Sequence, residues 1–131
     1  EDAETFAFPF VKKIFDSFPE LFHLFHNDTP NENIYPGLRT IGIDVFNLTH
    51  EIDLRHAREL LGPDIALMGN IPPVDVLVNG TEEQVRKATE DLLQKIDDCG
   101  PLLISAGGGV SPGTPADNLK AMVDVVQQST L

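Results

Sequence analysis

Four times along this chain a short apolar run of five or six residues gives way to a longer amphipathic stretch, and that alternation restricts the fold more than any other feature. Apolar runs of this length, bounded by Gly, Pro and Asn, read as buried parallel strands, and the amphipathic stretches between them read as crossover helices. Strands are expected over residues 21–26, 44–48, 65–69 and 101–106, and helices over 10–18, around 34–41, over 53–61, from 81 to about 96, and over 116–128. Pro19 closes the first helix and Gly62-Pro63 the third. Thr81 and Gln84 are spaced as a capping box at the start of the fourth, and Thr114 or a neighbour is the expected cap of the last. A further short apolar stretch, 74–78, follows Asn70-Ile-Pro-Pro73.

The strand starts fall roughly 20 to 35 residues apart, which suits right-handed crossovers between consecutive parallel strands. A closed (β/α)8 barrel needs about 250 residues, and this chain has 131. Four βα units therefore predict an α/β fold, half of a TIM-like barrel with parallel strands, over residues 1–131; a four-stranded open sheet is the alternative. Glu1 stands where an initiator Met would, so a fragment of a longer chain is expected. A half-barrel leaves two sheet edges and an apolar inner face uncovered, which predicts a homodimer or association with the missing half.

With 41% hydrophobic residues the chain can bury an ordinary core. Nine basic against twenty-one acidic residues, a net charge of −12, would repel nucleic acid and anionic membrane surfaces. No apolar run approaches the length of a membrane span, and no basic segment precedes an apolar one at the start. One cysteine, Cys99, makes neither an internal disulfide nor a thiolate cluster. A soluble, cytoplasmic protein with a small-molecule substrate is expected, without nucleic-acid or membrane partners.

In parallel α/β folds chemistry collects at the C-terminal ends of the strands, where loops converge and helix N-termini point at a ligand. That rule selects His26 and Asp28 after the first strand, Asn47, Thr49 and His50 after the second, Asn70 after the third, and Ser105 with Gly107, Gly108 and Gly109 after the fourth. His26 and Asp28, at i and i+2, project to one side of an extended chain, and imidazole with carboxylate suits a divalent metal or acid–base work. The Asn27-Asp-Thr-Pro30 string is equally ordinary turn chemistry. His50 would complete a two-histidine, one-carboxylate set. His23 falls on the opposite face of the strand and His56 within a helix, so both read as structural or solvated. The glycine run lacks the Lys of a P-loop and the spacing of a dinucleotide fingerprint, leaving close backbone approach to a ligand as its use. Glu82-Glu83 and Asp97-Asp98 read as solvated helix faces or ends.

The ordered series Gly69-Asn-Ile-Pro-Pro73, Gly80-Thr-Glu-Glu-Gln-Val85, Ser105-Ala-Gly-Gly-Gly-Val110 and Thr114-Pro-Ala-Asp-Asn118 resembles the C-terminal half of uroporphyrinogen decarboxylase-like proteins, over residues 10–128. The resemblance implies the second half of a (β/α)8 barrel. It also implies one of two activities: cofactor-free decarboxylation of uroporphyrinogen in porphyrin biosynthesis, or zinc-assisted methyl transfer from a corrinoid partner protein. The methyltransferases carry a His-x-Cys pair at the end of the matching first strand and a later Cys in the glycine turn. Here His26 is kept, Asp28 stands at the first Cys position, and Gly108 at the second. The decarboxylases carry a His at the place of Gly108.

The reading these residues lead to is a corrinoid-linked methyltransferase-like enzyme. His26 and Asp28 would be its catalytic and metal-binding pair, holding zinc or another divalent metal. Asn47, His50, Asn70, Gly107, Gly108 and Gly109 would line the substrate site. The alternatives are a uroporphyrinogen decarboxylase binding a tetrapyrrole without a cofactor, and a non-catalytic binding or assembly half-barrel.

Overall fold

All four expected strands form in the computed structural model, which describes residues 2–95 and 100–129. They are β1 (Leu24–Asn27), β2 (Val45–Leu48), β3 (Ala66–Ile71) and β4 (Leu102–Ala106), paired in parallel in chain order. The helices are α1 (Asp2–Phe6), α2 (Phe8–Asp16), α3 (Tyr35–Leu38), α4 (Leu54–Leu61), α5 (Glu82–Lys95) and α6 (Ala116–Gln128). The α/β half-barrel is the architecture observed.

Register decides which side chains meet the helices, because residues paired across parallel strands point to the same side of the sheet. Phe25, Phe46, Leu67 and Leu102 form one row. Phe46 meets Tyr35 of α3 edge-on at 5.2 Å, so this row belongs to the helix-covered face. Phe46 and Leu67 are fully buried with Leu38, Leu48, Leu61 and Leu77, and each such side chain contributes about 1.5–3 kcal/mol by leaving water. The next row, His26, Asn47, Met68 and Leu103, lies on the opposite face.

Local signals explain the helix ends. The Asp53 carboxylate accepts from the backbone N–H groups of Arg55 and His56 to start α4, and Gly62, at φ +79°, stops it. The capping box of α5 is present: Thr81 N–H donates to Gln84 Oε1 at 2.8 Å, and Gln84 N–H donates to Thr81 Oγ1 at 3.3 Å. Glu82 and Glu83 are exposed in that first turn. Ile96, the Asp97-Asp98 pair and Cys99 lie outside the described residues.

Several elements differ from expectation. β1 starts at Leu24 rather than residue 21, because pairing with β2 begins only after the Asp44 carboxylate accepts from His23 N–H at 2.7 Å; Leu21 and Phe22 stay exposed. β3 runs two residues further, to Ile71, because β4 continues beside it through Ser105 and Ala106. The expected helix at 34–41 is a 3-10 turn, Glu32–Ile34, and the four-residue α3; beyond it Thr40 Oγ1 donates to Gly37 O, a local alternative to another helical turn. The stretch at 74–78 becomes a π-helical turn, Pro73–Val78. Thr114 does not cap α6: its hydroxyl donates to Ser111 O, and Pro115 occupies the cap position without a side-chain bond. Helix α1 lies before the first expected helix.

Candidate active site at the strand ends

Parallel pairing sets His26 beside Asn47, although the two are 21 residues apart. His26 Nδ1 lies 2.6 Å from Asn47 Oδ1. Asn47 is 4% exposed, and its amide nitrogen donates to Met68 O at 2.9 Å and Ala106 O at 3.3 Å. Both of those partners are carbonyls, which only accept, so the amide orientation is determined and Oδ1 must be the acceptor facing His26. In the neutral ring Nδ1 then carries the proton, and Nε2 keeps its lone pair. His26 is exposed. A buried amide thus sets the tautomer of an exposed imidazole, as the outer partners of metal-bound and general-base histidines do.

The outlet of β1 contains the turn that its composition suggested, but Asp28 is not the residue that makes it. Asn27 Oδ1 accepts from Thr29 N–H at 2.8 Å and from Thr29 Oγ1 at 2.6 Å. The Asp28 carboxylate instead lies against Gly108: a Cβ added there would fall 2.5 Å from Oδ1 and 2.7 Å from Cγ. Gly108 is buried with φ +97°, backbone that L side chains rarely adopt. Its neighbour Gly107 approaches His50, whose backbone N would stand 2.5 Å from an added Cβ. Gly109 is exposed with open space around it. The close approach permitted by Gly107 and Gly108 is to the chain itself, and at Gly108 the neighbour is an anion, which disfavours a phosphate there.

Asn70 serves the same end of the sheet from β3. Its amide nitrogen donates to Thr49 O at 3.1 Å and Ile52 O at 2.7 Å, pinning the loop that carries His50. His50 is exposed and lines an open cleft of about 280 Å3 with Asp53, Arg55, Asn70 and Lys95. It does not complete a metal set with His26 and Asp28. Among the described residues no three His, Cys, Asp or Glu side chains are grouped to hold a metal ion. Gly107 packs closely against the His50 backbone.

The two remaining histidines are structural. His23 stacks on Phe15 at 4.4 Å and its ring nitrogens lie 3.0 Å from Gly42 O and Phe18 O. His56 bridges Glu32 at 2.9 Å and Glu59 at 3.6 Å, and the hydrogen bond to Glu32 raises its pKa above the usual 6.5. One tie was missed from the sequence: Asn118, 3% exposed, donates to Leu77 O and Gly80 O and fastens α6 to the π-helical turn. Nothing in an isolated Asn near a helix start marks it for that role. No helix among the described residues is long and apolar enough to cross a membrane.

Fold and site together define an α/β partial barrel with its polar groups gathered at the C-terminal ends of parallel strands. A solved methyltransferase from Methanosarcina mazei superposes on 96% of the chain with a TM-score of 0.84, at 20% identity and over 36% of its own length. The family model for uroporphyrinogen decarboxylase (URO-D) matches residues 1–129, and the chain belongs to that family. A uroporphyrinogen decarboxylase of Gloeobacter violaceus is 29% identical over 96% of the chain, and a methylcobamide:CoM methyltransferase of Methanosarcina acetivorans is 32% identical over 92%. The chain spans 36% and 35% of the length of these two relatives.

Proposed function

We propose that the complete protein to which this half-barrel belongs is a corrinoid-linked methyltransferase-like enzyme with His26 and Asp28 as its working groups. The observation that carries the reading is the 2.6 Å contact of His26 Nδ1 with a buried, doubly anchored Asn47. In the neutral ring it leaves the Nε2 lone pair available at the end of a barrel strand, as a metal ligand or a proton acceptor requires. Asp28 adds a carboxylate two residues on.

One imidazole and one carboxylate fit two ligands of zinc or a harder divalent ion, with the remaining positions left to solvent, substrate or groups beyond the described residues. Such an ion would act as a Lewis acid, lowering the pKa of an acceptor bound to it. With only two donors from this chain it would be held more weakly than a thiolate-rich zinc. Asn47 orients the imidazole, Asn70 holds the neighbouring loop, and Asp28 keeps its place against Gly108. The methyl donor would be a corrinoid on a partner protein, in keeping with the methylcobamide specificity in the name of the Methanosarcina acetivorans relative.

Metal analysis and zinc titration of the wild-type chain, beside His26→Ala and Asp28→Ala variants shown by circular dichroism to be folded, test this. Binding that falls at least tenfold in both variants is the supporting result. Wild-type protein that binds no zinc, cobalt or iron after reconstitution overturns it. The absence of thiolates at 28 and 108 favours a second reading, decarboxylation of a tetrapyrrole without metal. Under that reading the metal-free chain binds a porphyrin, and Asp28→Ala weakens that binding.

A further inference from the structure

Asn79 is the one asparagine of this chain followed by glycine. It is exposed and stands between the π-helical turn Pro73–Val78 and the capping box that opens α5. Packing requires the glycine: a Cβ at position 80 would run into Val76 O, with the Val76 carbonyl carbon at 3.2 Å and its Cα at 3.3 Å. The same glycine makes the asparagine before it chemically vulnerable, because no side chain hinders attack of the following backbone nitrogen on the asparagine amide.

Three hydrogen bonds hold the pair. Asn79 N–H donates to Val74 O at 3.0 Å, Gly80 N–H donates to Val76 O at 3.1 Å, and Gly80 O accepts from the amide of buried Asn118 at 2.8 Å. The nitrogen that would attack is thus engaged, and Asn79, at φ −94° and ψ −16°, holds helical backbone that must rotate before a five-membered ring can close. Local opening of this junction therefore precedes reaction.

We infer that Asn79 is a deamidation site whose rate is governed by the Asn118 tie from α6. The Gly80 nitrogen bonds to Asn79 Cγ, and its proton passes through water to the departing amide nitrogen. The Cγ–Nδ2 bond breaks and ammonia leaves. Water then opens the succinimide at either carbonyl, giving aspartate or isoaspartate; nothing is oxidised or reduced, and water is the sole co-reactant. The isoaspartyl product carries one extra carbon in the main chain between positions 79 and 80. It shifts Gly80 relative to Val76 and Asn118, which loosens the hold of α6 on the segment that follows β3.

Peptide mapping by mass spectrometry tests this, on the chain held at pH 8 and 37 °C both folded and in denaturing urea, with Asn118→Ala and Asn79→Gln variants. The peptide containing residues 79 and 80 should gain the mass that separates an acid from an amide, and Asn79→Gln should show no such gain. Conversion in the folded wild type should be about ten- to a hundredfold slower than in urea. Asn118→Ala, checked for native circular dichroism, should convert about tenfold faster than the folded wild type, because the donor shared by Leu77 O and Gly80 O is gone. A folded wild type that converts as fast as the unfolded chain overturns the proposal. So does one that shows no conversion at Asn79 long after the slowest expected rate would have completed it, or an Asn118→Ala variant that converts like the wild type. Should that variant misfold, hydrogen exchange of the wild type decides. Across a urea series below the unfolding transition, exchange at Gly80 and conversion at Asn79 must quicken together, and conversion that stays constant while Gly80 exchange rises overturns the proposal.

Discussion

The Asp28 carboxylate occupies the space that a side chain at position 108 would enter, since a Cβ built on Gly108 falls 2.5 Å from Asp28 Oδ1. By resemblance, position 28 is the place of one methyltransferase thiolate, and position 108 that of the other or of the decarboxylase His. The two positions are therefore sterically coupled: the carboxylate on β1's outlet occupies space that a side chain on β4's would need. Asp28 is exposed and can rotate, whereas the neighbour of Gly107 is the backbone of His50, which cannot.

Gly107→Ala should accordingly destabilise more than Gly108→Ala. The first forces two backbone segments apart, costing about 3 kcal/mol or more; the second sets an L side chain at φ +97° and displaces a mobile carboxylate, costing about 1–2 kcal/mol. Urea denaturation of the two variants decides the order. Combining Asp28→Ala with Gly108→Ala should recover only the clash and leave the backbone cost. Equal losses in Gly107→Ala and Gly108→Ala would show that the close approach to His50 is not what restricts position 107.

Asn47 is predicted to control the imidazole of His26. Nitrogen-15 shifts of the neutral ring should report Nδ1–H and a bare Nε2 in the wild type, and a mixture of tautomers in Asn47→Ala. The same substitution strips the Met68 and Ala106 carbonyls of a donor and should cost about 1–3 kcal/mol. An unchanged tautomer in the variant would remove Asn47 from the site.

Tyr35 is the chain's one tyrosine, 1% exposed, and its hydroxyl has no hydrogen-bond partner among the described residues. Desolvation, reinforced by the charge of Glu32, pushes its pKa from 10.0 to about 12. The folded pKa lies above the unfolded one, so the contribution of Tyr35 to stability is constant below pH 10 and falls as pH rises from 10 through 12. Absorbance titration at 295 nm should give a midpoint near the raised value. Tyr35→Phe, which removes an unpaired buried hydroxyl, should leave stability at neutral pH unchanged or raise it by up to about 1 kcal/mol. A loss above that figure would mean the hydroxyl has a partner in solution.

His56, held by Glu32 and Glu59, should titrate above 6.5 in proton NMR, and Glu32→Gln should bring it down. Its raised pKa makes any contribution to stability fully present below pH 6.5 and lost as pH rises through the folded value. The pair is exposed, so added salt should reduce the shift. A His56 pKa insensitive to Glu32→Gln would place the cause elsewhere.

The alternation of apolar runs was enough to place four strands and their order, because a period of two or of 3.6 is a property of neighbouring residues alone. The Thr81–Gln84 box and the Asp53 cap region belong to that local grammar. Position at a strand end likewise singled out His26, Asp28, Asn47 and Asn70. What each does there was decided elsewhere. Asn47 reads as a pocket polar group in sequence and becomes the anchor of a histidine 21 positions away. Asn70 reads as a substrate-site residue and becomes the tie that holds the His50 loop, and Asn118, near a helix start, becomes the tie between α6 and the π-helical turn. His50 reads as a third ligand, yet among the described residues no group of three possible ligands forms, and its backbone lies against a glycine 57 residues later. Register, and backbone contacts as close as those at Gly107 and Gly108, depend on distances that exist only once the strands are laid side by side. Hydrogen-bond partners of buried amides are chosen by that packing and leave no periodic trace in the chain.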